Sequence, residues 1–282
     1  MNRALFIGRS VLDVTTLVED FPTPNEKIKA LENNMVPGGS ALNAAIVFSH
    51  LGGHATLATS LGTGHLTSDF LSEDLDLHGV RVEDICDDPA YRIPISMVVS
   101  ARSLGTRMIV NDAVDDCSRL KARTDLFDGN FHLIQLDQYE RHFVAEHADV
   151  IRAFEGDVIL DGGGWKEWSP DFLRLSDIPV VSEVFRPDGP AGFAALCDEF
   201  GISRWAMTCG ESGTVWRDGD SQGKIPANRA MVVDTLGAGD IFHGAFCHEF
   251  ARTGQFVPAL ESASVVAARS CESIGTRSWM NA

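Results

Sequence analysis

Short apolar runs rich in β-branched residues alternate along this chain with stretches in which apolar residues recur every three or four positions. The runs predict strands at residues 4–7, 55–61, 132–136, 157–160, 179–181 and 204–208. Helical spacing is clearest at residues 41–51, where Ser40 stands at a cap position and Gly52-Gly53 follow, and again at residues 143–154. This alternation predicts an α/β protein, with a doubly wound, mostly parallel sheet flanked by helices.

Two regions break the alternation. Residues 14–36 have no helical period, and residues 91–112 predict a hairpin with a glycine-containing turn at 103–106. The two regions could meet as a small β-sheet that stands off the main sheet. Such a sheet is either a lid over a pocket or an edge hairpin without function, and the pattern leaves both open. With no linker or internal repeat visible, we predict one domain over residues 1–282.

Composition and charge narrow the classes of partner. The chain has 282 residues, 44% of them hydrophobic, which excludes a disordered or fibrous protein. Its net charge of −17 disfavours nucleic acid and anionic membrane surfaces but still permits a local site for an anionic small molecule. The six cysteines are scattered and no apolar run approaches the ~18 residues of a membrane span. We therefore expect a cytoplasmic protein with free thiols.

The first segment with candidate chemistry surrounds the start of a predicted helix. Gly237, Ala238 and Gly239 would let backbone N–H groups approach an anion at the positive helix end. Asp240, in the same turn, would repel a phosphate that was merely bound there. It fits better as a general base that takes a proton from an attacking hydroxyl. The alternative, a glycine-rich turn with Asp240 as an ordinary helix-start residue, remains open on the residues alone.

A second segment suits a sugar. Gly38 and Gly39 precede the helix predicted from residue 41, and Asn43 lies in its first turn, where its amide can both donate and accept hydrogen bonds. Asp13 follows the first strand, at the place where open α/β sheets position ligand-contacting side chains. A tight turn with a surface Asn43 and a turn-forming Asp13 would explain the same residues.

A third glycine-rich stretch, residues 208–213, is typical of a loop on the nucleotide side of a site but is unspecific by itself. The sequence contains no GxxxxGK[ST] motif, which excludes a P-loop mechanism. Metal-ligand spacing is also absent among the nine histidines. We therefore expect any divalent cation to arrive with a nucleotide.

Taken together, residues 38–43 and 234–240 resemble the two signatures of the ribokinase-like (PfkB) carbohydrate kinases, and the resemblance extends over essentially the whole chain. It implies a doubly wound α/β domain whose small β-sheet lid is formed by residues 14–36 and 91–112. It also implies phosphoryl transfer from ATP with Mg²⁺ to a sugar hydroxyl.

The resemblance carries roles over to individual residues. Asp240 resembles the catalytic base, and the anion hole would be Gly237, Ala238 and Gly239. The implied sugar-binding residues are Asp13, Gly38, Gly39, Asn43, Asn111 and Lys27. The implied nucleotide-binding residues are Thr208, Gly210, Gly213, Ser264 and Ala268. Asp234, with backbone carbonyls of residues 268–275, would hold a monovalent cation such as K⁺. Glu183 would serve Mg²⁺, because the family's Asn-x-x-Glu is Ser182-Glu183-Val184-Phe185 in this chain.

Within the family, residues 8–18 and 232–240 resemble ketohexokinases, and residues 233–245 resemble kinases of 6-deoxy-6-sulfofructose. A sulfonate would call for an arginine near Asp137, where this chain has Gln138-Tyr139. The implied activity is therefore transfer of the γ-phosphoryl group of ATP to a primary hydroxyl of an unsubstituted, ketohexose-like sugar.

Two other functions stay in view. A nucleoside kinase of the same fold would need an aromatic platform for the base, for which Tyr91 and Phe21 are the candidates. A non-catalytic regulator that binds sugar or nucleotide would explain the altered Asn-x-x-Glu. A homodimer is also possible through the apolar face that Met97 and Met108 give to the hairpin, unless that face closes over the sugar site.

Overall fold

The computed structural model describes residues 2–62, 64–113, 116–185 and 189–281. Within them the strands are β1 Arg3–Ile7, β2 Val11–Val18, β3 Glu32–Gly38, β4 His54–Thr59, β5 Arg81–Asp84, β6 Ile95–Ala101, β7 Thr106–Asn111, β8 Leu133–Leu136, β9 Asp157–Gly162, β10 Ile178–Ser182, β11 Arg204–Thr208, β12 Thr214–Asp218 and β13 Ser221–Ile225. The helices are α1 Ser40–His50, α2 Leu66–Leu77, α3 Arg141–Glu146, α4 Ala148–Arg152, α5 Ser169–Leu173, α6 Gly189–Glu199, α7 Ala238–Thr253 and α8 Phe256–Ser270. None of the helices in the described ranges is long and apolar enough to cross a membrane.

The main sheet has nine strands in the order β13-β12-β11-β10-β9-β8-β1-β4-β5. Strands β12 and β13 are antiparallel to their neighbours, and the remaining pairs are parallel. The chain starts at β1, adds β4 and β5 on one side, and then adds β8 to β11 on the other. This confirms the doubly wound α/β fold, with its topological switch point between β1 and β8.

Apolar layers cover both faces of this sheet. On β1, Ala4 and Phe6 pack into the layer that contains α1, α7 and α8, whereas Leu5 and Ile7 pack into the layer that contains α3 to α6. Because successive strand residues point to opposite faces, a strand buried on both faces is continuously apolar, as this one is. The continuous apolar run at residues 4–7 therefore predicted β1 correctly.

The two irregular regions do meet in a second sheet, in the order β3-β2-β6-β7. Strand β2 pairs antiparallel with β3 and parallel with β6, so the parallel pair joins the two regions. The first region begins earlier than expected, at Val11, and its period of two is hidden because Thr15, Thr16, Asn33 and Asn34 are polar neighbours along the strands. The chain enters β2 of the second sheet after the carboxyl end of β1, and it returns from β3 to the main domain layers at the start of α1.

Two helix predictions need correction. The helix predicted over residues 143–154 is divided into α3 and α4 at His147, whose Nδ1 lies 2.9 Å from the Phe143 carbonyl oxygen. Helix α1 begins at Ser40, so the cap position belongs to Gly39 and not to Ser40. Gly39 has a φ of 114°, a backbone angle that residues other than glycine rarely adopt.

Candidate active site

The site is built around the switch point of the main sheet. Gly8 follows β1 and Asp137 follows β8, and a Cβ atom on Gly8 would overlap the Asp137 carboxylate. That carboxylate accepts the backbone N–H groups of Arg9 and Tyr139 at 3.2 and 2.9 Å. Burial nevertheless raises the pKa of Asp137 to about 8. Open α/β sheets bind ligands in the crevice at this position.

The start of α1 packs tightly against the connection between the two sheets. A Cβ atom on Gly39 would overlap the Arg9 carbonyl oxygen, and one on Gly38 would overlap the Asp13 carboxylate. Only glycine therefore allows this approach at both positions. The packing brings the Asp13 carboxylate against Gly38, two residues before α1, whose first turn carries Asn43.

Helix α7 brings Asp240 to Asn43. Gly244 allows α7 to cross α1 closely, because a Cβ atom there would overlap the Ala44 carbonyl oxygen. Across this crossing the Asn43 Nδ2 donates a hydrogen bond of 2.7 Å to Asp240 Oδ2. Asp240 is half-buried, and its removal from water raises its pKa, while Asn43 and His243 act in the opposite direction.

Two amides in the first turn of α7 lack a hydrogen-bond acceptor in the described structure. Gly237 is the cap residue of α7 and has a φ of 69°. The N–H group of Ala238 donates to the Thr235 carbonyl oxygen at 3.3 Å, whereas those of Gly239 and Asp240 have no acceptor in the described ranges, and no side chain there caps them. A Cβ atom on Gly239 would meet no atom within 4 Å. This end of α7 can therefore receive an anion.

Arg277 is a site residue that the sequence analysis missed. Its Nη1 donates to Asn43 Oδ1 at 2.8 Å, and its Nη2 donates to the Pro37 carbonyl oxygen at 3.1 Å. Its side chain is 16% exposed, and burial lowers its pKa. Arg277 therefore links the amide that contacts Asp240 to the segment that contains Gly38. A single arginine near the end of the sequence carries no signal for this role.

The second sheet aligns two further predicted residues. Asp13 of β2 lies opposite Ser96 of β6, and Ser96 lies opposite Asn111 of β7. The three residues therefore form one row across the sheet. Lys27, in contrast, is exposed in the connection between β2 and β3, at the opposite end of these strands from Asp13, and the described contacts do not join it to the site.

The predicted nucleotide residues lie near the end of β11 and on α8. Thr208 ends β11, and the following turn is closed by a 2.8 Å hydrogen bond from the Cys209 N–H to the Gly213 carbonyl oxygen. Gly210 and Gly213 both have a positive φ. Ser264 of α8 accepts a 2.9 Å hydrogen bond from Asn228, and Ala268 follows one turn later on the same face.

The two predicted metal residues differ in their surroundings. Asp234 accepts the N–H groups of Leu236 and Gly275 at 3.0 and 2.9 Å, so it joins the segment before α7 to the predicted cation-binding stretch 268–275. Glu183 is exposed in the turn after β10. Across the described ranges, no three His, Cys, Asp or Glu side chains gather as a metal cluster.

A doubly wound sheet, a second small sheet at its switch point and an acid beside free helix amides define a phosphotransferase of the ribokinase type. The chain matches the family of pfkB family carbohydrate kinases over residues 1–162 and 182–281, and it belongs to that family. It is thus an enzyme, a member of the group of carbohydrate and nucleoside kinases that share this fold.

Individual relatives agree with this assignment. The chain is 36% identical to the ribokinase of Lactococcus lactis subsp. lactis, over 99% of this chain and 94% of that one. It is 25% identical to the deoxyribokinase of Salmonella typhi, over 96% and 93% of the two chains. The structure of Arabidopsis thaliana ribokinase complexed with ribose and ATP matches with a TM-score of 0.79, at 20% identity over 98% of this chain and 94% of that chain, which supports the fold.

Proposed function

We propose that this enzyme transfers the γ-phosphoryl group of ATP to a primary hydroxyl of a ketohexose-like sugar, with Asp240 as the general base. The observation that carries the proposal is the position of Asp240. Its carboxylate is hydrogen-bonded by Asn43 of a different helix and stands in the first turn of α7, where the Gly239 and Asp240 N–H groups have no acceptor in the described ranges.

The proposed reaction uses these groups in sequence. Asp240 takes the proton of the sugar hydroxyl, and the hydroxyl oxygen forms a bond to the γ-phosphorus as the bond to the β–γ bridging oxygen of ATP breaks. The products are the sugar phosphate and ADP. The amides of Gly237, Ala238 and Gly239 would stabilise the negative charge on the transferred group. Asp240 can take the proton only as a carboxylate, so the groups that keep it ionised matter to the rate.

The proposed sugar site lies between the sheets. Asp13, Asn43 and the backbone at Gly38 and Gly39 would bind hydroxyl groups, and the row from Asp13 to Asn111 would bring Asn111 over the sugar. In this proposal the second sheet is a lid, and the chain is one domain. Closure of this lid would exclude water and align the sugar hydroxyl with the γ-phosphoryl group. Alignment of two reactants contributes on the order of 7–11 kcal/mol to lowering the barrier of a reaction between them. Lys27 would reach a sugar only if the exposed loop between β2 and β3 moved.

The proposed nucleotide site uses Thr208, Gly210 and Gly213 on one side, and Ser264 and Ala268 on the other. Mg²⁺ fits a site of this kind, because it is commonly bound through nucleotide phosphates and one or two carboxylates rather than by a cluster of side chains. Glu183 would supply that carboxylate, and the bound ion would neutralise charge on the phosphates. Asp234, which keeps acceptor capacity beyond its two backbone hydrogen bonds, would hold K⁺ with carbonyls of residues 268–275.

The second sheet also has an exposed apolar face, and we propose that a second copy of the chain covers it. Met97, Met108 and Val110 are 53%, 49% and 66% exposed. Large exposed apolar patches usually mark interaction surfaces. Sedimentation at several concentrations would give the mass of a dimer if this is correct and that of a monomer if it is not.

A panel of acceptors tests the proposed substrate class. ADP release would be measured with ketohexoses, with ribose and deoxyribose, and with nucleosides, and the phosphorylated carbon of each product would be identified by ³¹P and ¹³C NMR. We expect the highest kcat/KM for a ketohexose, phosphorylated at a primary carbon. A higher value for ribose or deoxyribose would replace the substrate class but keep the reaction.

The other candidate functions give different results in the same panel. A nucleoside kinase would release ADP fastest with nucleosides. This function is less well supported, because Tyr91 is buried beside Cys86 and Cys117 rather than open to a ligand. Sugar binding in a calorimeter without ADP release from any acceptor would indicate a regulator.

A further inference from the structure

Both ring nitrogens of His243 contact groups that can only accept a hydrogen bond. Nδ1 lies 2.7 Å from the Gly239 carbonyl oxygen, and Nε2 lies 2.9 Å from the Val180 carbonyl oxygen. A neutral imidazole has one N–H and would place a lone pair against one of these oxygens. Only the imidazolium, with two N–H groups, satisfies both contacts.

A buried imidazolium needs a negative partner. Asp161 provides it, because its Oδ2 lies 3.4 Å from His243 Nδ1 and both side chains are less than 10% exposed. The same oxygen is buried and has no hydrogen-bond partner in the described part of the chain. A cation in the first turns of a helix is opposed by the helix dipole, so the His243 imidazolium would be unfavourable there without Asp161.

The surroundings of this pair connect it to the proposed base. The titratable groups around it are Asp240 and Cys247 of α7, Asp137 after β8 and Lys166 after β9. Strand β10 contributes the backbone carbonyl of Val180 to the ring. His243 follows Asp240 by three residues on α7 and therefore lies on the neighbouring part of the same helix face.

We propose that His243 is a positioning residue for phosphoryl transfer, held as an imidazolium by Asp161 and two backbone carbonyls, which fixes the first turn of α7 to β10 and keeps Asp240 ionised. The proposal rests on Asp240 being the general base. Burial raises the pKa of Asp240, and the charge of His243 opposes that change. Removing the charge should therefore raise the pKa of Asp240 further and reduce the fraction of enzyme with an ionised base at acid pH.

The pH dependence of the rate tests this role. In His243→Asn, which is neutral, we expect the acid limb of the kcat/KM profile to move to higher pH by about one unit, and hence a roughly tenfold loss on that limb with a smaller loss at alkaline pH. His147 offers a matched control. It is equally buried, but in the described structure its ring contacts one carbonyl oxygen, that of Phe143. His147→Asn should leave the profile where it is. Superimposable wild-type and His243→Asn profiles would overturn the proposal.

A second measurement does not depend on activity. In enzyme labelled with ¹⁵N-histidine, we expect both ring nitrogens of His243 to be protonated at pH 7.5. In Asp161→Asn, His243 should lose its second proton. A single protonated nitrogen in wild-type His243 would contradict the proposal even if the variants fail to fold. Activity of Asp240→Asn near the wild-type level would instead contradict the assignment of the base, so the two failures are distinguishable.

Discussion

Arg277→Met removes the guanidinium that joins Asn43 to the segment before α1. The variant keeps a long apolar side chain in the space but loses the hydrogen bonds to Asn43 Oδ1 and to the Pro37 carbonyl oxygen, of 2.8 and 3.1 Å. Asn43 would then be free to rotate, and its amide would no longer be aimed at Asp240. We expect the main loss in the binding and orientation of the sugar.

The size of the effect follows from those contacts. Hydrogen bonds that involve a charged group contribute roughly 1.5–3 kcal/mol each. Arg277 also forms a longer ion pair with Asp74, at 3.8 Å, which the same substitution removes. If the variant loses the equivalent of one of the two hydrogen bonds at the sugar site, kcat/KM should fall roughly 10- to 100-fold, since a tenfold change corresponds to about 1.4 kcal/mol.

The assay is the initial rate of ADP release with the best sugar of the panel, measured over a range of sugar at saturating ATP. Arg252→Met is the control, because Arg252 is exposed and pairs only with Glu249, one turn earlier on α7, among the described ion pairs. The effect of Arg277→Met should largely disappear in an Asn43→Ala background, because the two residues would act as one unit. Full additivity of the two substitutions, or an Arg277→Met rate within twofold of wild type, would refute this reasoning.

Two further predictions concern the glycines and the buried acids. Gly39→Ala should be more destabilising in urea unfolding than Gly52→Ala, since both residues have a positive φ but only Gly39 lacks space for a Cβ atom; equal losses would contradict the packing described. The free energy of unfolding should fall as pH rises from 5 to 9, because the folded pKa values of Asp137 and Glu140, about 8 and about 7, lie above those of an unfolded chain, so the folded state binds more protons across this range. Asp137→Asn should flatten this fall, and an unchanged slope would contradict it.

Local patterns in the sequence predicted much of the fold. Short, mostly apolar runs predicted β1 and β8 to β11, because strands buried on both faces are mostly apolar, although β8 also buries Gln135. The glycines at 38, 39 and 237 indicated close approach of the backbone to a ligand, which stays a prediction; in the structure a Cβ atom at each position would overlap a neighbouring atom of the protein. The meeting of the two irregular regions was also predicted, although the bounds of β2 and β3 were not.

The remaining site depends on contacts between residues that are distant in sequence. Arg277 and Asn43 are separated by more than 230 positions, and no local pattern reports that they touch. Asp161 and His243 likewise meet only because β9 and α7 pack together. The helix predicted over residues 143–154 is interrupted at His147, which periodicity does not reveal.

The central claim is that Asp240 takes the proton of the acceptor hydroxyl. Its most direct test is the single-turnover rate of phosphoryl transfer in Asp240→Asn, with enzyme in excess over ATP and ATP affinity measured separately. The account predicts a rate ~10²–10⁴-fold below wild type, with ATP affinity retained and with Asp149→Asn, a change at a side chain that is 98% exposed, behaving as wild type. A rate in Asp240→Asn within a few fold of wild type would contradict it.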